Sequence, residues 1–319
     1  MKIMFVTVAL DNYDRVPWGL TSAVHFFRKS GNEVRVTTKK NWWKFYFDYL
    51  SFKPDIVVAT GILGFIPCFF KKIGLLRKPI VHMWDDYYGE QMAKKWGALP
   101  SYLEMFSILN SDYVTTMSKY NESKAQIIGK KVFFIPHGVQ EKIKQTEIKL
   151  KGKVKIVYIG DQSRYKQTDK MIKSVNGLDC DLYLFGKPSP EFQELAKNMK
   201  NVHFMGFIPP EEIPSVLKQA DILINPSDQD SSFKFFEYIS IGKPILAFQG
   251  RPGYLLKHKE NAYLTTDLTE GIKTMVKDKK LRAEIEKGAK KLKSDITLTW
   301  EQVARKHLEL YKRILKHEI

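Results

Sequence analysis

The sequence predicts an α/β protein of two halves, each built on an open parallel sheet. Three observations predict it. Short apolar runs rich in branched residues recur between polar segments and read as buried parallel strands. Stretches with helical periodicity alternate with those runs. At 319 residues, the chain is long for one core and comfortable for two. With 44% hydrophobic and 27% charged residues, its composition is that of an ordinary globular protein.

Taken in order, residues 1–9 form a first strand, and Pro17-Trp18-Gly19 precede a helix over Leu20–Lys29 that ends at Gly31. A second strand follows directly. Residues 54–61 and 78–85 read as further strands with loops at their carboxyl ends, and 111–118 and 132–139 complete the half. From 140 to 153 the chain is polar and lysine-rich with no apolar period, which marks a linker. Strands over 154–160, 180–186, 201–205 and 220–224 then alternate with helices near 168–175, 191–199 and 211–219. The last strand leads through a polar loop to a helix beginning near Phe233, whose serines can cap it and which Gly242-Lys243-Pro244 stop. Another strand starts at Lys243. Apolar residues at helical spacing over Trp300–Leu315 close the chain. The domains expected are 1–140, 141–299 and a terminal helix, 300–319, that crosses back to the first.

The strand, loop and helix around Phe233 are where an open α/β sheet binds anions, because unpaired N–H groups and the helix dipole point there. Lys234 adds a mobile positive charge, and Glu237 offers two acceptors suited to a sugar diol. Asp228-Gln229-Asp230 imitates an Asp-x-Asp metal motif, but its place late in the second half favours a coincidence over a divalent-ion site, and no metal is expected. Cys68 and Cys180 sit far apart in apolar runs, as buried reduced thiols of a cytoplasmic protein do, with no zinc spacing. Met-Lys running straight into a strand lacks a signal peptide, and the apolar run 61–70 contains Pro67 and is too short to span a bilayer. The balance of 52 Lys and Arg against 35 Asp and Glu, net +17, suits nucleic acid, an anionic membrane or phosphorylated substrates.

Ser231-Ser232-Phe233-Lys234-Phe235-Phe236-Glu237-Tyr238 with Gly242-Lys243-Pro244 resembles the donor-binding segment of glycosyltransferase family 4. Ile135-Pro136-His137-Gly138-Val139 resembles the segment that closes the first domain of that family. The resemblance spans nearly the whole chain. It implies the GT-B fold, two Rossmann-like domains facing across a cleft, and a retaining transfer from a nucleotide diphosphate sugar. It implies no cofactor beyond that co-substrate. By the resemblance Glu237 holds the donor ribose, while Ser231, Ser232, Phe233 and Lys234 face the diphosphate. Gln229 occupies the place of an acidic residue near the transferred sugar. Lys166 neutralises the diphosphate as the sugar–phosphate bond breaks, since a preplaced cation stabilises the developing charge. Asp161 stands where the family has an arginine, and Arg164 is the candidate replacement. Phe207 and Ile208 belong to the segment that holds the nucleobase, and Gly19 to the loop that approaches the donor phosphates.

On the acceptor side, Trp84 and Asp85 occupy the place where the resemblance implies a His-Asp pair near the acceptor, and His82 and His137 are the further candidates. Asp85 is the strongest of them, because a carboxylate there can orient or deprotonate an acceptor hydroxyl. For a histidine at a strand end, a structural role competes evenly with a functional one. Residues 39–50 and 69–78 interleave aromatics with lysines, a pattern suited to membrane headgroups or to a helix with its aromatics packed inward. Two such patches favour docking to an anionic membrane at its inner face. No nucleic-acid motif is present. The acceptor expected is a glycan or lipid-linked glycan, in cell-surface glycan or glycolipid synthesis. A nucleotide-sugar epimerase of the same fold and a transferase-like binding protein without turnover are the rival readings.

Overall fold

The computed structural model describes residues 1–7, 20–85 and 87–319. Gly19, with Pro17 and Trp18, lies outside them. The chain divides into two compact units, Met1–Gly138 with Leu298–Ile319, and Val139–Thr297.

In the first unit the elements run β1 (Lys2–Thr7), α1 (Leu20–Lys29), β2 (Glu33–Thr38), α2 (Phe45–Phe52), β3 (Ile56–Thr60), α3 (Phe65–Lys72) and β4 (Ile80–Met83). They continue with α4 (Tyr88–Trp96), α5 (Leu99–Asn110), β5 (Tyr113–Thr116), α6 (Lys119–Ile127), β6 (Val132–Phe134) and the short β7 (Gly138–Val139). Six strands form a parallel sheet in the order β2-β1-β3-β4-β5-β6. Successive strand side chains point to opposite faces, so Ile3 and Phe5 pack with α1 while Met4 and Val6 pack with α2 and α3. The first of these faces is also covered by α13 (Trp300–Leu315), which β14 (Leu298–Thr299) introduces. Phe27 and Tyr311 meet there edge to face, 6.0 Å between ring centroids. A capping box of Thr299 and Gln302 starts α13, which fixes where the chain turns into that helix.

The second unit repeats the scheme with β8 (Lys155–Ile159), α7 (Thr168–Ser174), β9 (Asp181–Phe185), α8 (Pro190–Leu195), β10 (Val202–Gly206) and α9 (Ile213–Leu217). Next come β11 (Ile222–Asn225), α10 (Phe233–Ile241), β12 (Ile245–Phe248), β13 (Tyr263–Thr265), α11 (Leu268–Lys277) and α12 (Lys279–Ile296). Its parallel sheet has the order β10-β9-β8-β11-β12-β13. The chain therefore builds outward from β8 in one direction, then returns to its other side. The switch point lies between β8 and β11, and an open α/β sheet binds its ligand outside the carboxyl ends of such a strand pair.

The lysine-rich stretch 140–153 has no helix or strand, yet it is anchored. Lys144 N donates to Glu211 O at 2.8 Å, Leu150 N to Gln219 Oε1 at 3.0 Å, and Lys151 N to the Tyr183 hydroxyl at 2.9 Å, all within the second unit. Both cysteines are buried and free. Among the described residues, no helix is long and apolar enough to cross a membrane.

Candidate active site

Two loops leave the switch point of the second unit, 160–167 after β8 and 226–232 after β11. Gln167, in the left-handed region at φ +54°, donates from Nε2 to the Pro226 carbonyl at 2.9 Å and ties them together. Beneath them the backbone is bare. Gly160 has φ +137° and Gly186 φ +128°, and a Cβ on Gly186 would stand 2.1 Å from the Gly160 carbonyl oxygen. Only glycine fits so close an approach.

Lys234 is seated against that bare backbone. A Cβ on Gly160 would lie 2.5 Å from Lys234 Nζ. The ammonium donates to the Tyr158 hydroxyl at 3.1 Å and sits 4.3 Å from the centroid of the same ring. Tyr158 in turn donates to the Asp161 carbonyl at 2.8 Å. Glu237 follows Lys234 by three positions on α10, so both side chains share one face of the helix. Burial lowers the Lys234 pKa to about 7, and the charge of Lys166 adds to the lowering. Burial raises Glu237 to about 7 against the pull of Lys234. Both side chains keep partial contact with solvent. The arrangement is a largely buried cation and a carboxylate on one helix face, both poised to change charge near neutrality.

The helix that carries them is fixed from behind. Tyr238, wholly buried, accepts a hydrogen bond from Ile159 N at 3.1 Å, which locks α10 to β8. Gly242 ends the helix at φ +73°. Ser232 occupies the N-cap position, but its side chain makes no capping hydrogen bond, contrary to the role expected of the loop serines. Ser231 is buried and Phe233 half exposed.

The other sequence candidates in this unit divide. Arg164 is an exposed residue paired with Glu191 of α8 through both Nε and a terminal nitrogen. That ion pair engages the guanidinium expected to stand in for the missing arginine. Phe207 is 82% exposed just past β10, whereas Ile208 is buried. Gln229 is half buried between two carboxylates with different surroundings. Asp228 accepts from Arg251 N at 3.0 Å, and Asp230 is completely buried. Among the described residues, no group of three or more His, Cys, Asp or Glu side chains is placed to hold a metal.

On the first unit, the structure moves three of the four acceptor-side candidates inward. His82 has no exposed surface. Its Nδ1 lies 2.7 Å from Ser107 Oγ, and burial lowers its pKa to about 3. Trp84 is 3% exposed, in a small core with Ile108, Val114 and Ala125, and its carbonyl accepts from Thr116 and Asn121. His137 places Nδ1 2.9 Å from the Gly138 carbonyl and its ring edge-on to Trp300, with its pKa likewise lowered to about 3 by burial. A strand-end polar residue reads the same in sequence whether it faces in or out, and here these three face in. Asp85 alone keeps partial exposure, and its charge helps raise the pKa of Tyr311.

Three residues of the site escaped the sequence reading. Tyr158 seats Lys234 from 76 positions away, and its only sequence signal is an aromatic within an aliphatic strand. Gln167 joins the loops across 59 positions, with no signal. Gln162 is 5% exposed, and neither its amide oxygen nor its nitrogen has a hydrogen-bond partner. Asn225 at the end of β11 shares the last property at Nδ2.

Residues 153–278, most of the second unit, match the family described as glycosyl transferases group 1. An uncharacterized glycosyltransferase of Methanocaldococcus jannaschii is 22% identical over 320 residues, covering 86% of this chain and 79% of that one. Among solved structures, sucrose-phosphate synthase of Thermosynechococcus elongatus superimposes with a TM-score of 0.78 at 13% identity, covering 99% of each chain. Anabaena HepE, solved in complex with UDP and glucose, does so at 0.69 and 16%, covering 98% of this chain and 99% of its own. A putative UDP-N-acetylglucosamine 2-epimerase of Listeria monocytogenes reaches 0.66 at 11%, with coverages of 99% and 97%. The architecture is therefore the GT-B fold, with two Rossmann-like units.

Proposed function

We propose that this protein is a retaining glycosyltransferase that moves a sugar from a nucleotide diphosphate sugar to an acceptor hydroxyl. The observation that carries the reading is Lys234 held by Tyr158 against the bare backbone of Gly160, with Glu237 one turn along the helix. The match of residues 153–278 to group 1 glycosyl transferases supports it, as does the likeness to a fold seen with UDP and glucose.

The chemistry follows from charge. As the bond from the anomeric carbon to the diphosphate breaks, negative charge grows on the leaving oxygen. Two cations already in place stabilise that charge without reorganising. Their mutual repulsion is relieved when the diphosphate binds, so binding energy goes toward the charge that the reaction increases. Glu237, as a carboxylate, accepts two hydroxyl hydrogen bonds from the ribose. Asp85 of the first unit orients the acceptor hydroxyl, with no covalent enzyme intermediate. The donor charge is met by side chains, and no metal is required. The acceptor is a cell-surface glycan or its lipid-linked precursor, reached from the inner face of the membrane.

A nucleotide-sugar epimerase is the second reading, favoured by the Listeria structure alone. One experiment separates them. UDP-, GDP- and ADP-sugars are incubated with and without hydroxyl acceptors, while nucleoside diphosphate release and sugar products are followed. A transferase releases the nucleoside diphosphate in step with glycosylated acceptor of unchanged anomeric configuration. An epimer formed without acceptor, or binding without turnover, contradicts the proposal.

A further inference from the structure

One face of the first unit carries a set of large apolar side chains that its own core does not use. On α2 and the turn before it, Phe45 and Phe52 are buried under the sheet, while Trp43, Phe47 and Leu50 are 61%, 72% and 49% exposed. Phe47 and Leu50, three positions apart, share one side of α2, and Trp43 stands on the turn that leads into it. Phe69 and Ile73, a turn apart at α3 and its end, are 43% and 50% exposed. Phe70, an aromatic of the 69–78 stretch, stacks on Tyr46 at 4.6 Å and joins α2 to α3. Phe65 meets Phe106 at 5.1 Å and joins α3 to α5. The structure adds a third part that the sequence reading left out. At the corner from α4 to α5, Leu99 and Tyr102 are 63% and 72% exposed.

Charge identifies the occupant. Residues 39–78 contain eight Lys and Arg (39, 40, 44, 53, 71, 72, 77, 78) against two acids, Asp48 and Asp55. Seven of the eight cations are exposed. Both acids are engaged, Asp48 with Arg35 at 3.5 Å and Asp55 with the Lys2 backbone N–H at 2.7 Å. Lys44 lies 4.8 Å from the Trp43 ring, a cation beside an indole as at a headgroup layer. A second copy of this face would oppose cation to cation. Single-stranded nucleic acid would stack on the aromatics but gain nothing from Leu50, Ile73 or Leu99. An anionic bilayer uses all three features: cations at its phosphates, indole and phenol rings at the interface, and aliphatic tips in the acyl boundary.

We infer that the α2, α3 and α4–α5 surface of the first unit docks the protein on an anionic phospholipid bilayer. The inference concerns the first unit and stands apart from the donor reading of the second.

The test is co-sedimentation of the full chain with vesicles of phosphatidylglycerol and phosphatidylcholine, and of phosphatidylcholine alone. Binding to the anionic vesicles is expected to be stronger by at least about tenfold, since each lysine near such a surface contributes. High salt weakens it without abolishing it, because apolar insertion is not screened. Two double variants, Trp43→Ser with Phe47→Ser and Leu99→Ser with Tyr102→Ser, each lower anionic-vesicle affinity by roughly tenfold or more while keeping the wild-type melting temperature. Tyr254→Ser, half exposed on the second unit, leaves binding unchanged. No binding to anionic vesicles at low salt overturns the inference, as does binding that both double variants retain. So does self-association that the variants abolish, or RNA binding that they abolish, in the absence of vesicle binding.

Discussion

The seat of Lys234 can be disturbed with a single methyl group. In Gly160→Ala the new Cβ would lie 2.5 Å from Lys234 Nζ, with the Tyr158 hydroxyl at an ordinary 3.5 Å. The crowded atom is the end of a flexible side chain, so the clash resolves by moving the amine. The cost to the fold is then mainly conformational. At φ +137° an L residue pays about 1–3 kcal/mol. For a unit of this size that lowers the melting temperature by roughly 2–12 °C. The cost to the reaction is larger, because removing one preplaced donor from a developing oxyanion lowers turnover by about 10²–10³. Gly177→Ala is the matched control. Its φ of +71° lies in the left-handed region, where an L residue pays about 1–2 kcal/mol, and a Cβ there meets nothing within 4 Å. The assay is nucleoside diphosphate release alongside thermal melting. Both variants are expected to melt earlier, and only Gly160→Ala to lose turnover beyond what its lower stability explains. Comparable turnover in the two would refute the seating of Lys234 as the functional feature.

Three further outcomes are expected. Lys166→Ala lowers turnover more than it weakens binding of the donor, measured by comparing kcat with nucleoside diphosphate affinity, because its charge is most needed late. Nucleoside diphosphate affinity peaks near pH 7: Lys234, lowered to about 7 in the free site, is raised by the diphosphate, so affinity is full below 7 and falls above it. Glu237, raised to about 7, is lowered again as its carboxylate accepts hydroxyls, so affinity is full above 7 and falls below it. Titrations across pH should show Lys234→Met flattening the alkaline limb and Glu237→Gln the part of the acid limb that phosphate protonation does not supply. Activity survives EDTA, and loss restored by manganese or magnesium would instead make Asp228 and Asp230 metal ligands.

Much of the fold was legible because its signals are local. The strands announce themselves as apolar runs such as Ile222–Asn225, the end of α10 as Gly242, and α13 as an apolar stripe. Where helix lengths differ from expectation, competing turns explain it. Residues 191–199 yield only Pro190–Leu195, since Lys197 and Met199 bond three residues back, to Glu194 and Ala196, as the helix unwinds. Residues 211–219 shrink to Ile213–Leu217, entered through a turn at Pro210 and closed by Gln219 N bonding to Val216 O.

The site was legible only where one segment contains it. Lys234 and Glu237 share a helix face, so their spacing could be read. Tyr158 and Gln167 act across long sequence separations, and nothing local encodes those meetings. The buried histidines fail for the converse reason. His82 has its partner in Ser107, 25 positions on, so its strand-end position suggested a reactive group where packing makes a core one.

The most direct test of the central claim is calorimetric titration of UDP, GDP and ADP into the wild-type chain and into Glu237→Ala at pH 7. One nucleoside diphosphate is expected to bind the wild type. Glu237→Ala should weaken it by about 1.5–3 kcal/mol, roughly ten- to hundredfold, the worth of hydrogen bonds to a charged group. Absence of binding by all three, or an affinity that Glu237→Ala leaves unchanged, would contradict the account.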